Sequence, residues 1–382
     1  MTHKASKSEV KRKNHESEVS QHHFHIERGK CNVTRGMGRR DFIKGASAGL
    51  VGTVLALDSP FAWAGKLGSG EGAEVTPATR AAKVSLVKGD SRYDNVYRSL
   101  KMIEDDIKAG IGNKQVVLKP NNVVVDKQLA ATHVDCLAAI LDVLKPIYQK
   151  PVIIAESPSG EPAEVGFENY GYKRLLKGYN VQFFDLDKDK PATFFILSRD
   201  LQPMPILVSS MMMHPNVYLI SAAVMKTHDV VVATLSLKNT LMAAPLKTRK
   251  VNYKGRVHQG IKEINYSFFL MAQRLKPSLA VIDGFRGMEG NGPADGEPVD
   301  ARVAVASTDF LAADRVSVEV MGIDFSTIGY LNYCADANMG VADLSKIEMM
   351  GENIGDCRMR FRLHKNVERQ YKWMEKKGVR GG

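Results

Sequence analysis

Lys226-Thr227-His228 is the sharpest chemical signal in the chain. A cation, a hydroxyl and an imidazole in succession can hold an anion and move a proton, and the apolar run Tyr218 to Val224 just before them reads as a strand. Three other polar sets stand in the same setting. Lys119, Asn121 and Asn122 close the run Gln115 to Lys119; Glu156, Ser157 and Ser159 follow Pro151 to Ala155; Asp283 and Gly284 follow Leu279 to Ile282. Ligands of open parallel sheets sit outside the carboxyl ends of the strands, so these positions are candidates by location as well as by residue type.

Further candidates sit beside predicted helices. Thr132 suits an N-cap and places His133 in a first turn, where backbone amides attract anions. Lys238-Asn239 falls within a helix expected over Ala233 to Met242. The stretch Gly287 to Gly296 holds Glu289 and Asn291 among glycines that permit close backbone approach to a ligand, but it matches neither a Walker loop nor a dinucleotide fingerprint. The reading therefore assigns Lys226, His228 and His133 to catalysis, and Lys119, Asn121, Thr132, Glu156, Ser157, Lys238, Asn239, Asp283, Glu289 and Asn291 to ligand binding. His133, His228 and His258 with Glu156, Asp283 or Glu289 suffice in number for a divalent metal such as zinc. Their scatter is not a local metal motif, and the cofactor stays open.

The elements that must position these groups alternate. Val84 to Val87, Gln115 to Lys119, Pro151 to Ala155, Val181 to Phe184, Asn216 to Ala222, Leu279 to Asp283 and Arg302 to Ala306 read as strands; Tyr93 to Ile107, Thr132 to Leu144, Tyr170 to Gly178, Val231 to Met242, Ile261 to Leu275 and Phe310 to Met321 read as helices. Buried runs alternating with amphipathic helices predict an α/β fold, a mainly parallel sheet with helices on both faces.

Composition excludes several classes. At 44% hydrophobic and 25% charged residues over 382 positions, the chain is neither disordered nor fibrous. Its net charge of +11 suggests nucleic acid until it is divided: +5 precedes Gly65 and +6 follows. Much of the second share lies in a basic C-terminal tail, residues 352–382, which reads as a solvated face with contact to anionic lipid as the lesser alternative. Nucleic acid is not an expected partner. Cys136, Cys334 and Cys357 follow the leader without the short spacings of a cluster, so an iron–sulfur centre is disfavoured. A Cys334 to Cys357 bridge and buried free thiols both remain open.

Gly38-Arg39-Arg40-Asp41-Phe42-Ile43-Lys44 ahead of a weakly apolar run to Leu57 reads as a twin-arginine export signal. Ala62-Trp63-Ala64 fits small-x-small cleavage, and the apolar stretch falls short of the roughly 20 residues a membrane span needs. The expected organisation is a signal over 1–64, a linker over 65–82, an α/β domain over 83–351 and the tail. The export machinery and a small-molecule ligand are the expected partners, and the periplasm is the expected location.

Lys119-Pro120-Asn121, Thr132-His133, Glu156-Ser157-Pro158, Lys226-Thr227-His228, Lys238-Asn239, Asp283-Gly284, Met288-Glu289-Gly290-Asn291-Gly292-Pro293, Asp309 to Asp314 and Met321-Gly322 occur in this order. Together they resemble the bacterial and archaeal family called domain of unknown function 362, over about Val84 to Gly351. The resemblance implies no settled activity. Some members look like iron–sulfur proteins with a ferredoxin-type cysteine module, which this chain lacks, and Glu156 stands where the family usually has Asp. The expectation is an exported, enzyme-like protein binding a small anionic ligand or cofactor, with a non-catalytic binding or maturation protein and a redox partner as alternatives.

Overall fold

The computed structural model describes residues 81–374, and within them each buried aliphatic run becomes a strand. In chain order these are β1 (Ala82–Lys88), β2 (Gln115–Lys119), β3 (Val152–Glu156), β4 (Val181–Asp185), β5 (Pro191–Leu197), β6 (Pro203–Ser209), β7 (Val217–Thr227), β8 (Ala233–Thr234), β9 (Leu279–Glu289), β10 (Glu297–Val299), β11 (Val303–Ser307) and β12 (Ile347–Gly351). The principal helices are α1 (Arg92–Lys101), α2 (Glu104–Ile111), α3 (Val134–Leu144), α4 (Ala163–Asn169), α5 (Ser236–Ala243), α6 (Tyr253–Val257), α7 (Ile261–Leu275), α8 (Phe310–Val320) and α9 (Gly329–Asp336).

The main sheet runs β12-β1-β11-β9-β7-β2-β3-β4, with β8 on β7 and β10 on β9. Strands β9, β7, β2, β3 and β4 are parallel neighbours, as are β1 and β12. Strand β11 runs antiparallel between β9 and β1 because it returns from β9 through a short connection that needs no crossover. The fold is α/β and the sheet mostly parallel.

Side-chain alternation assigns the two faces. Val116, Leu118, Ile154, Ile220, Ala222, Val281, Ala304 and Ala306 join one core with Val96, Leu100, Ile107, Leu137 and Ile140 of α1, α2 and α3. The intervening residues, Val117, Leu219, Ile282 and Val305 among them, are equally buried, and α5 and α8 pack against the sheet strands from which they come. Aliphatics on both faces are what a sheet covered on both sides requires.

Several boundaries differ from the sequence reading. The helix expected over Tyr93 to Ile107 divides into α1 and α2; the acidic trio Glu104, Asp105 and Asp106 sits in the first turn of the second, where negative charge favours the dipole. Tyr170 to Gly178 is a 3-10 turn over Tyr172–Lys177, and the helix of this connection is α4, which the reading missed. The helix expected from Val231 starts at Ser236 instead, after β8 pairs back onto β7. His133, not Thr132, is the N-cap of α3. The proline-interrupted middle forms a separate two-stranded sheet of β5 and β6, where prolines are tolerated because the strands are edges.

The chain after β12 packs on the domain. Cys357, Phe361, Gln370 and Trp373 are buried, and Trp373 Nε1 donates to Thr327 O at 2.8 Å, while Arg358, Arg360, Arg362, Lys365 and Arg369 stay exposed. Cys136, Cys334 and Cys357 are buried free thiols, so the Cys334 to Cys357 bridge is not formed. No helix among the described residues is long and apolar enough to cross a membrane. The twin-arginine segment, the cleavage point after Ala64 and the linker up to residue 80 lie outside the described residues.

Candidate functional site

Strands β2, β3 and β7 end side by side, and a cavity of about 350 Å³ opens over their carboxyl ends. Its walls include Lys119, Asn121, Asn122, Glu156, Ser157, His228, Lys238 and Asn239, drawn from positions up to 120 residues apart. They meet because β2 pairs in parallel with both β3 and β7. Helix α5 supplies Lys238, Asn239, Met242 and Ala243 to the wall, and its start is fixed by Asp314 of α8, which accepts from Ser236 N, Ser236 Oγ and Leu237 N at 2.9, 2.6 and 3.1 Å. Burial pushes that carboxyl up to about 7.

Glu156 is fully engaged. Its Oε2 accepts from Lys119 Nζ and Asn122 N, both at 2.8 Å, and its Oε1 accepts from Ser157 N at 2.7 Å. Lys119 Nζ also donates to Asn239 Oδ1 at 2.9 Å and to Pro120 O, and Asn239 Nδ2 donates to Ser221 Oγ. Desolvation holds the Lys119 ammonium below the usual lysine range although Glu156 opposes this. Ser157 Oγ donates to Asp187 Oδ1 at 2.9 Å. These bonds build a rigid floor.

Above that floor the charge is lopsided. Lys226 is fully buried behind the cavity, donates to Ala130 O at 2.8 Å, and is held well below its ordinary value by desolvation and by Lys238 and Lys119. Lys254 of α6, which the sequence reading missed, donates to Met242 O and Ala243 O at the end of α5 and is lowered to about 7 by burial. Lys238 is lowered to about 8 by burial, and its ammonium makes no hydrogen bond or ion pair among the described residues. His228 and His258 line the same cavity. Burial and the neighbouring Lys238 hold His228 well below the usual imidazole value, although Asp229 Oδ1 lies 3.1 Å from its Nδ1.

Asn121 Oδ1 and Asn122 Nδ2 are buried with no protein partner. Buried polar atoms are paired as a rule. Asn122 points away from the cavity, with its Oδ1 accepting from Tyr172 OH and its Nδ2 against Gly166, so the Lys238 ammonium is the group that marks where a ligand's acceptor would fit.

Other candidates lie elsewhere. His133 and Asp283 line a second cavity of about 400 Å³ with Arg92 and Arg286. There Arg92 Nε stands 2.9 Å from Asp283 Oδ2, an ion contact whose angle falls short of a hydrogen bond, and the guanidinium lies over Phe285. His133 Nδ1 accepts from Asp135 N as a helix cap. Thr132 is fully buried: its Oγ1 accepts from Asn121 N and donates to Ala222 O, both at 2.7 Å, tying β2 to β7. Glu289 accepts from Arg362 N and Asn291 is exposed.

The glycine loop serves packing. Gly290 adopts φ 72°, and a Cβ on Gly292 would lie 2.1 Å from Thr227 O, so the loop presses on the end of β7 and contributes only Pro293 to the cavity wall. Gln370 was also missed: its Oε1 accepts from Val232 N and its Nε2 donates to His228 O, clasping the turn after β7 in which Val232 sits at φ 68°. Its signal was drowned in a basic run. Among the described residues no group of three or more His, Cys, Asp or Glu side chains could hold a metal ion, so the set raised from the sequence does not assemble.

Fold and site together define an α/β protein with a lysine-rich cavity at a parallel strand end. The family described as a domain of unknown function (DUF362) matches residues 116–319, and the chain belongs to that family. It is also similar to a thylakoid-associated protein of Synechocystis sp., 25% identical over 253 residues, which cover 64% of this chain and 76% of that one. A crystal structure of a Thermotoga maritima protein aligns at 15% identity with a TM-score of 0.32, covering 53% of this chain and 52% of that one.

Proposed function

We propose that the chain binds a small anionic ligand in the strand-end cavity and moves a proton there, an enzyme-like role outside the cytoplasm. One observation carries the reading: Lys119, Lys238 and Lys254 converge with His228 and His258 on one volume, and the buried carboxylate there, Glu156, is already spent on Lys119 and two amides. A buried cation without a counter-ion costs several kcal/mol. A carboxylate or phosphate entering the cavity would offset that cost, with the lysines fixing its orientation and the imidazoles exchanging the proton.

Calorimetric titration with inorganic phosphate and with oxalate tests this. Binding that is unchanged when Lys238→Met and His228→Asn are combined would remove the reading. The proposal extends to export through the twin-arginine machinery, motivated by Arg39-Arg40 and the small-residue run behind them. Fractionation of a bacterial host should find the chain in the periplasm and the Arg39→Lys, Arg40→Lys pair in the cytoplasm; equal delivery of both would count against it.

A further inference from the structure

Five lysines surround the site, and their hydrogen bonds sort them. Lys119 is held by Glu156, Asn239 and Pro120; Lys226 by Ala130; Lys247 by Asp187, Pro158 and Glu161; Lys254 by Met242 and Ala243. Lys238 is the exception. It is 6% exposed, lines the cavity, and its nitrogen has no partner among the described residues. Electrostatic neutralisation would be served by any of the five; an amine that must attack needs a free lone pair and room in front of it.

The two histidines are set in complementary tautomers. Nδ1 of His228 accepts from Val230 N at 3.0 Å, whereas Asp229 Oδ1, 3.1 Å from the same nitrogen, makes no hydrogen bond with it, so the neutral ring carries its proton on Nε2. Nδ1 of His258 lies 3.0 Å from Lys254 O, a carbonyl that only accepts, so its proton is on Nδ1 and its Nε2 keeps a lone pair. One imidazole is a donor and the other an acceptor, on the wall that also holds Lys238.

We infer that Lys238 is a nucleophilic amine that captures the carbonyl carbon of a small oxo acid as an imine, with the substrate's carboxylate held by the neighbouring cations. This rests on the anion-binding reading of the same cavity. The amine lone pair forms the C–N bond as the C=O π pair moves to oxygen, and that oxygen takes a proton to give a carbinolamine. Both nitrogen protons end on that oxygen: His258 Nε2 takes them one at a time and hands them on, His228 Nε2–H hydrogen-bonds to the departing hydroxyl, and water leaves as the nitrogen lone pair closes the C=N bond. Amine and carbonyl compound give imine and water, with no oxidant or reductant consumed. A value of about 8 leaves on the order of a hundred times more free amine at pH 7 than an ordinary lysine has.

The test is reductive trapping on the full chain. Incubation with glyoxylate or pyruvate, reduction with cyanoborohydride and peptide mapping should find the adduct on Lys238 at about ten times or more the level on any exposed lysine. Oxalate, which has carboxylates but no aldehyde or ketone, should suppress it, and Lys238→Arg should lack it while melting normally. If that variant does not fold, the map of the unaltered chain decides alone. Adducts spread over exposed lysines, or none on Lys238, overturn the imine. Oxalate binding without an adduct removes the imine and keeps the anion site; no binding of oxalate or phosphate removes both.

Discussion

Two cavities open beside the central strands, and each joins a buried carboxylate to a cation. Around β9 the charges match: Asp283 faces Arg92, and His133 is occupied as a helix cap. Around β2, β3 and β7 they do not: Glu156 answers Lys119, and among the described residues Lys238 and Lys254 form no ion pair and feel only the more distant Asp229 and Asp187 with Glu156. The difference teaches that burial of a charge is not itself a functional sign. A paired buried charge holds the fold; an unpaired one is retained at a cost, and the ligand is the natural source of the missing partner.

Removing a charge should therefore act in opposite directions in the two places. Asp283→Ala leaves the mostly buried Arg92 guanidinium without its carboxylate and should destabilise by about 3 kcal/mol in denaturant unfolding, with anion binding nearly unchanged. A loss below about 1 kcal/mol would erase the contrast. Lys238→Met should instead raise stability by about 2 kcal/mol, because it deletes a buried charge that folding disfavours, while anion binding falls.

The sign with pH follows from the lysines. Lys238 and Lys254 have folded values of about 8 and 7, below the unfolded lysine value, so their stabilising contribution is present above about pH 10 and is lost as pH falls through 8 and 7. Unliganded stability should thus rise between pH 8 and 10, less so in Lys238→Met. Phosphate binding should do the reverse and weaken as pH rises through about 8, up to tenfold per unit for one proton. Lys119, His228, His258, Glu156 and Asp229 line this volume too, with Lys226 buried behind it, and a binding profile flat from pH 6 to 9 would show that they mask the effect. The smallest effect is expected from Gln370→Ala, about 1–2 kcal/mol for three lost bonds, to Val232 N, His228 O and Asn366 Oδ1, with a modest loss of binding as the His228 turn loosens.

Much of this contrast was visible one residue at a time. Polar groups directly after apolar strands flagged Lys119, Glu156, His228 and Asp283, because a chain leaving a parallel sheet exposes its next side chains at the strand end. What could not be read was which of them meet. Asp283 lies two residues beyond Val281 and shares its face with α1 and α3, whereas Lys119 lies two beyond Val117 and reaches Asn239 on α5. Thr132 and Glu289 carried motif positions yet serve as ties between segments. Lys254 and Gln370 had no strand before them, so nothing local distinguished them from surface residues.

The sequence by itself determined the alternation of strand and helix, the mostly parallel sheet and the strand ends where chemistry would sit, because hydrophobic period and chain polarity are local properties. Strand order, the division into two cavities and the charge balance of each were decided only by tertiary structure. Whether a buried lysine has a partner depends on residues more than a hundred positions away, and the packing of α5 beside β2 and β7 leaves Lys238 without one among the described residues.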